Sequence, residues 1–223
     1  MPAYCAEALI LRTYRFGEAD LIVVFLTRDR GKRRGVAKNA VKSRRRFGAA
    51  LEPLTRGTVA YFEKEQRDLV RLDRVDTQAS PLTSAMSGTA GSAALGHAGY
   101  FAELLDEWSP EAQANEKLYR LGAAVGDALS AGAPVAPLAR YFEYWLLRLE
   151  GVYPDMTASG LSAEALEFLR LAGETPPGGI GTLRLGRTAA RELEAAHRRL
   201  IALHLEKDLR SARVLREIGP DLL

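Results

Sequence analysis

Residues 28–46 hold ten cations (Arg28, Arg30, Lys32, Arg33, Arg34, Lys38, Lys42, Arg44, Arg45, Arg46) and one acid, Asp29. Ten cations less one anion is +9 on a chain whose formal charge is +3, so the remainder stands at −6. A cationic stretch on an otherwise acidic body is the electrostatic footprint of a polyanion binder. So dense a run repels itself without a counter-charge, which favours nucleic-acid phosphate over a merely solvated loop. Arg dominates over Lys, as bidentate phosphate contact prefers. Phe47 directly follows Arg46, and Tyr14 and Phe16 precede the segment, so rings on which bases could stack lie close by. The expected contacts are Lys32, Arg33, Arg34, Lys38, Lys42, Arg44, Arg45, Arg46 and Phe47.

Other reactive residue types point nowhere comparable. Glu18 and Asp20 are a carboxylate pair with no third acid or His nearby, and read as loop acids that bond turn amides or Arg. An activated Cys5 would need a helix N-terminus or a cationic neighbour and a nearby His, and no His precedes His97, so a passive thiol is expected. His197 and His204 stand seven apart, not at the i, i+4 spacing of a helical zinc pair, and with His97 they read as structural or surface residues. The run GGIG at 178–181 follows no clear strand and precedes no Lys-Ser or Lys-Thr, so the phosphate-loop pattern fails. No catalytic residue, metal or cofactor is expected.

The elements that must position the cations change character along the chain. With 223 residues, 47% of them hydrophobic and 26% charged, the chain can build a globular core. Up to residue 80 the signal is β: residues 4–13, the apolar run LIVVFLT at 21–27 before a turn at 29–31, a short return strand at 33–38, then 58–62 and 68–75. About five short strands suit a small OB-type barrel. Ser80-Pro81 reads as a helix start. Helices are expected over 90–108, with Leu95, Phe101 and Leu105 near one face, and over 116–129, 137–150 and 162–171. The aromatic-rich stretch 141–147 reads as helix core. Residues 175–181 read as a loop. A last helix from about Thr188 is expected to turn Leu193, Leu200, Leu203 and Ile218 inward, with a solvated, salt-bridged Arg face outward. The fold class is α+β: a five-stranded OB barrel at 1–80 followed by an all-helical domain at 81–223, as segregated units.

One cysteine excludes an intramolecular disulfide and fits a reducing compartment. Charges at Glu7, Arg12, Arg15, Glu18 and Asp20 interrupt any signal-peptide layout. The run 21–26 is far short of the ~20 residues that span a bilayer. A soluble, cytoplasmic protein without a membrane partner is expected.

Several motifs in fixed order resemble the RecO family of recombination mediators. They are ALILR at 8–12, FGEAD at 16–20, LT at 26–27, GK at 31–32, GVAK at 35–38, SRRRFG at 43–48 and LEPL at 51–54. Later echoes are WLLRLEGVYPD at 145–155 and HLEKDLRS at 204–211. The resemblance is dense over the first 80 residues and patchy beyond. It implies an OB-fold and a helical domain, binding of single- and double-stranded DNA, and strand annealing. It also implies cooperation with RecR and single-strand-binding protein in loading the recombinase RecA, no catalysis, and a nucleoid-associated cytoplasmic location. The family's basic barrel residues carry over to Lys32, Arg33, Lys38, Arg44, Arg45 and Arg46. Many members hold zinc with two CxxC pairs after the stretch that ends here at Asp155; this chain has no cysteine there, so that lobe is missing and zinc is not expected. Rival readings are an RNA-binding OB module, a nucleic-acid-processing enzyme, and an adaptor whose charge serves an acidic protein.

Overall fold

Five strands close into a barrel in the computed structural model, which describes residues 2–43, 46–63, 69–86, 91–155, 160–206 and 209–218. The strands are β1 (Ala3–Phe16), β2 (Asp20–Thr27), β3 (Gly31–Ala37), β4 (Arg56–Phe62) and β5 (Leu69–Ala79), in the order β1-β2-β3-β5-β4. All neighbouring pairs are antiparallel except β3 with β5. Alternation fills the barrel: Ala6, Ala8, Ile10, Val23, Phe25, Val59, Tyr61, Val70 and Leu72 point inward and are buried. A bulge between Ile10 and Arg12 breaks the alternation of β1. Beyond it Arg12, Tyr14 and Phe16 pair with Val24, Ile22 and Asp20 on the outer face.

Helices follow: α1 (Pro81–Ala85), α2 (Gly91–Trp108), α3 (Glu116–Ser130), α4 (Val135–Leu149), α5 (Ala163–Glu174), α6 (Arg187–Leu205) and α7 (Arg210–Ile218). Asn115 caps α3 and Ser162 caps α5, each accepting a backbone N–H three residues on. The expected aromatic core of α4 holds, with Tyr141, Phe142 and Tyr144 buried and the half-buried Trp145 donating its indole N–H to the Ala172 carbonyl.

Four expectations are corrected. Pro177–Thr182 is a 3-10 turn, not a loop, and it buries Ile180. The last helix is two: Glu206 adopts φ 51, ending α6 before α7 begins. Leu203 is 72% exposed, because ten residues from Leu193 is about 80° off its face, whereas His197 and Ile201, at multiples of four, point inward. Leu95 is 38% exposed for the same reason, lying about 120° from Phe101. The side chain of Ile218 lies outside the described residues.

Barrel and helices do not keep separate cores. Leu9, Leu11, Val24, Leu26 and Leu54, on the barrel's outer face, belong to one buried apolar cluster with Phe101, Leu105, Leu118, Leu121 and Phe142 of the helices.

Candidate nucleic-acid interface

Apart from Arg30, which pairs with Asp29 at 3.8 Å and lies over the Tyr4 ring, the described cations of residues 28–46 divide into two groups. Those nearest the helices are engaged by acids. Lys32 is buried, and its Nζ donates to the Asp106 main-chain carbonyl at 2.5 Å and to Oδ1 at 3.0 Å. Arg33 pairs with Glu63 at 3.2 Å, Arg34 with Glu111 at 2.7 Å, and Arg28 with Glu116 at 2.8 Å and Glu7 at 3.4 Å. Outside the segment, Arg12 reaches Asp106 at 3.4 Å and Glu103 at 3.6 Å, and Arg56 reaches Asp127 at 3.0 Å. Burial works against the Arg12 charge, but Asp106, the Tyr14 hydroxyl and Glu103 more than restore it and raise its pKa. Apart from Arg33, whose partner Glu63 directly follows β4, these residues tie barrel to helices.

The second group faces water. Lys38 and Lys42 are exposed on the β3–β4 connection, and Arg15 is exposed at the end of β1. Among the described residues none of the three forms an ion pair. Arg46 shapes the connection itself, donating to the Ser43 hydroxyl at 3.1 Å and the Lys38 carbonyl at 2.6 Å. Arg44 and Arg45 lie outside the described residues. Phe47 is only 3% exposed, in the barrel interior, because the connection folds back over the barrel mouth. It closes the barrel and offers no face to a base, contrary to expectation; Lys32 is likewise withdrawn by its pairing with Asp106.

Topology brings the free cations to one end. The β1–β2 turn meets the β3–β4 connection there: the Val41 N–H donates to the Ala19 carbonyl at 3.1 Å, and the Asn39 N–H to Asp20 Oδ1 at 2.7 Å. Asp20 thus has the loop-bonding role read from its setting. Tyr14 and Phe16 are exposed beside this end, whereas Arg15, also there, is a cation the charge-run argument passed over. A groove of about 640 Å³ runs from here toward α2 and α7, but Glu52 and Glu103 in its lining make it a poor phosphate track. Glu103 is already committed: it accepts from the Arg210 and Ser211 amides and the Ser211 hydroxyl at the start of α7. Burial would raise the Glu103 pKa, and these bonds with Arg12 pull it below the usual value.

The histidines serve packing. His97 bonds the Ala93 carbonyl, and burial lowers its pKa. His197 sits between Glu143 and the Tyr153 hydroxyl, each at 2.9 Å. Burial would raise the Glu143 carboxyl; Arg140, His197 and Tyr100 overcome it and hold the pKa below its usual value. Among the described residues no group of three or more His, Cys, Asp or Glu could hold a metal ion. With one cysteine in the chain, the four-cysteine lobe is absent.

Known proteins match along most of the chain. The family profile described as Recombination protein O N terminal matches residues 1–81, and Recombination protein O C terminal matches residues 92–160. The DNA repair protein RecO of Koribacter versatilis (strain Ellin345) is 46% identical over 162 residues, 73% of this chain and 64% of that protein. The protein of the same name from Anaeromyxobacter dehalogenans (strain 2CP-C) is 32% identical over 246 residues, 95% of each chain. That of Heliobacterium modesticaldum (strain ATCC 51547 / Ice1) is 28% identical over 260 residues, 100% of this chain and 92% of that protein. The matched stretch spans less than two thirds of the length of the first of these relatives.

Proposed function

The chain belongs to the RecO family, and on that premise we propose that it is a non-enzymatic DNA-binding protein of recombinational repair. The observation that carries this reading is the division of the cations. The barrel's helix-facing charges are matched by acids, while Arg15, Lys38 and Lys42 collect, without ion pairs among the described residues, at one end of a five-stranded barrel. Unmatched cations beside exposed rings suit a backbone-tracking contact with a single strand. Neutralising two strands at the same end would lower their mutual repulsion, so annealing of complementary strands is the activity proposed. Single- and double-stranded DNA, a RecR-like protein and single-strand-binding protein are the proposed partners, and assistance in loading the recombinase the proposed outcome. Among the described residues no helix is long and apolar enough to cross a membrane; a cytoplasmic, nucleoid-associated location is proposed.

The test is the affinity of the full chain for a single-stranded oligonucleotide across a salt series. Three to six phosphate contacts at about 0.7 each give a log–log slope of about −2 to −4. The variant Lys38→Glu/Lys42→Glu should bind much more weakly and with a shallower slope. Unchanged binding by that variant would remove the basic end from the reading. Competition by a matched RNA strand separates DNA from RNA preference.

A further inference from the structure

The function proposed above draws on the barrel and leaves the Arg face of α6 unused. That face is solvated, as the sequence predicts, but it is not salt-bridged. Arg187, Arg191, Arg198 and Arg199 are exposed, and among the described residues none of the four forms an ion pair. The neighbouring acids are turned elsewhere. Glu192 accepts the Ser162 amide at 3.0 Å, Glu164 accepts the Gly186 amide at 2.7 Å, and the half-buried Glu194 faces Arg140 at 3.9 Å. The helical period sets Arg187, Arg191 and Arg198 within about 40° of one another, in a row about 16 Å long. α6 packs on α4 and α5 through its opposite side, where Ala189, Leu193, His197 and Ile201 are buried. These charges are carried at a cost in stability: no acid stands in the first turn of α6, and Arg187 meets the positive end of the helix dipole.

We propose that this row binds the backbone of duplex DNA, at a site separate from the basic end of the barrel. The proposal rests on the DNA-binding reading and adds to it where a duplex is held. Three features select this occupant. First, α6 contains no Phe, Tyr or Trp, so it offers unpaired bases nothing to stack on, whereas the barrel end exposes Tyr14 and Phe16. Second, the helix fixes its cations along a straight line. That suits a stiff rod with one phosphate charge per ~1.7 Å of axis, roughly nine over the length of the row. Guanidinium groups also match phosphate oxygens bidentately. Third, the row is interrupted only by Ala195 and Ala202, whose short side chains admit a backbone closely and give a protein partner no large anchor. The exposed Leu203 lies about 120° round the helix from Arg191, off the row. Two separate sites let one chain hold an unpaired strand at the barrel and a duplex at the helices, which is the arrangement of a strand junction during annealing.

The experiment titrates the full chain with a blunt duplex and with oligo-dT across a salt series. Arg187→Glu/Arg191→Glu should lose about tenfold or more in duplex affinity, with a log–log slope shallower by about 2. Its oligo-dT affinity should change less than about threefold. Its urea midpoint should not fall, because acids replace cations at the start of the helix. Arg187→Lys/Arg191→Lys, which keeps the charge, should retain duplex affinity within about threefold. Lys117→Glu/Arg120→Glu makes the same change of net charge at exposed positions of α3 and should leave duplex binding within about twofold of wild type. If the first variant folds poorly, Arg198→Ala decides the matter: its duplex slope should be shallower by about 1. Duplex affinity that survives in the α6 variants, falls equally in the α3 variant, or falls no further than oligo-dT affinity overturns the duplex site and leaves the basic end of the barrel standing. A wild-type chain that binds neither form of DNA overturns the DNA reading itself.

Discussion

At the scale of single residues, equal charges have unequal fates. Lys32 and Lys42 are ten positions apart in the most basic stretch of the chain, yet one is buried against Asp106 and the other is in water. Nothing in the local sequence separates them, because the acid that claims Lys32 is 74 positions away. Charge density was legible; pairing was not. Lys32→Ala leaves Asp106 buried with only Arg12 at 3.4 Å, so it should cost about 3 kcal/mol, the lower end for breaking a buried pair. Lys42→Ala should leave the urea midpoint unchanged and weaken DNA binding. Equal midpoints for the two variants would contradict the division of roles. The buried titratable groups make a second prediction. His97, held neutral by burial, and Glu103 and Glu143, held ionised by their partners, all have folded-state pKa values below their ordinary ones. As pH falls, the unfolded chain therefore takes up protons first, and stability is lost with acid. The His97 contribution fades below its ordinary 6.5, and the carboxylate contributions below 4.5 and on through their lowered values. Urea midpoints should hold above pH 7, fall from pH 6.5 and fall more steeply below 4.5; a flat profile from pH 7.5 to 4 would refute the assignment.

At the scale of elements, strand and helix were readable wherever the period was clean, and failed where geometry departs from it. The consecutive apolar residues Leu9, Ile10 and Leu11 were visible, but not that they mark a bulge: Ile10 fills the barrel while Leu9 and Leu11 meet the helices. Phe47 was misplaced because a ring after an Arg triplet looks the same in sequence whether it closes a barrel mouth or faces a base. Two glycines show what holds the elements at their spacing. Gly31 begins β3 at φ +72, and a Cβ there would stand 2.1 Å from the Gln113 carbonyl oxygen. Gly122 lets α3 approach α2 and β1, where a Cβ would stand 2.6 Å from a Leu105 methyl and 2.8 Å from one of Leu9. Backbone cannot yield, whereas leucine side chains can rotate. Gly31→Ala should therefore cost more, about 2–4 kcal/mol from strain and overlap together, and Gly122→Ala about 1–3 kcal/mol. Denaturant titration checks the order; a milder Gly31→Ala would mean that the 111–113 segment moves aside freely.

At the scale of the whole molecule, the switch from strand to helix after Ala79 was plain in the sequence, and the union of the two parts was not. An outward leucine on a strand has the same spacing whether water or a helix covers it. Here Leu9, Leu11, Val24, Leu26 and Leu54 lie in one cluster with the helical core, and Lys32, Arg12, Arg28 and Arg56 pair with acids of α2 and α3 around it. The apolar contact should dominate, since exposed pairs such as Arg28 with Glu116 contribute little and are screened by salt. Barrel and helices should then unfold together, in one calorimetric transition whose van't Hoff and measured enthalpies agree, at low salt and high. Residues 1–80 alone would expose five large side chains on one barrel face and should show no cooperative melting. Two transitions in the full chain, or a sharp melt for the fragment, would show that the barrel is self-sufficient. The expected coupling has a functional side. On the proposed reading, a basic end fixed to the helical body would hold a strand at one orientation relative to a partner bound by the helices, so loosening the junction should impair the proposed loading of the recombinase before it impairs DNA binding. Leu26→Ala, on the buried face and away from the exposed cations, is the variant to compare in both assays; equal losses in binding and loading would count against a fixed geometry.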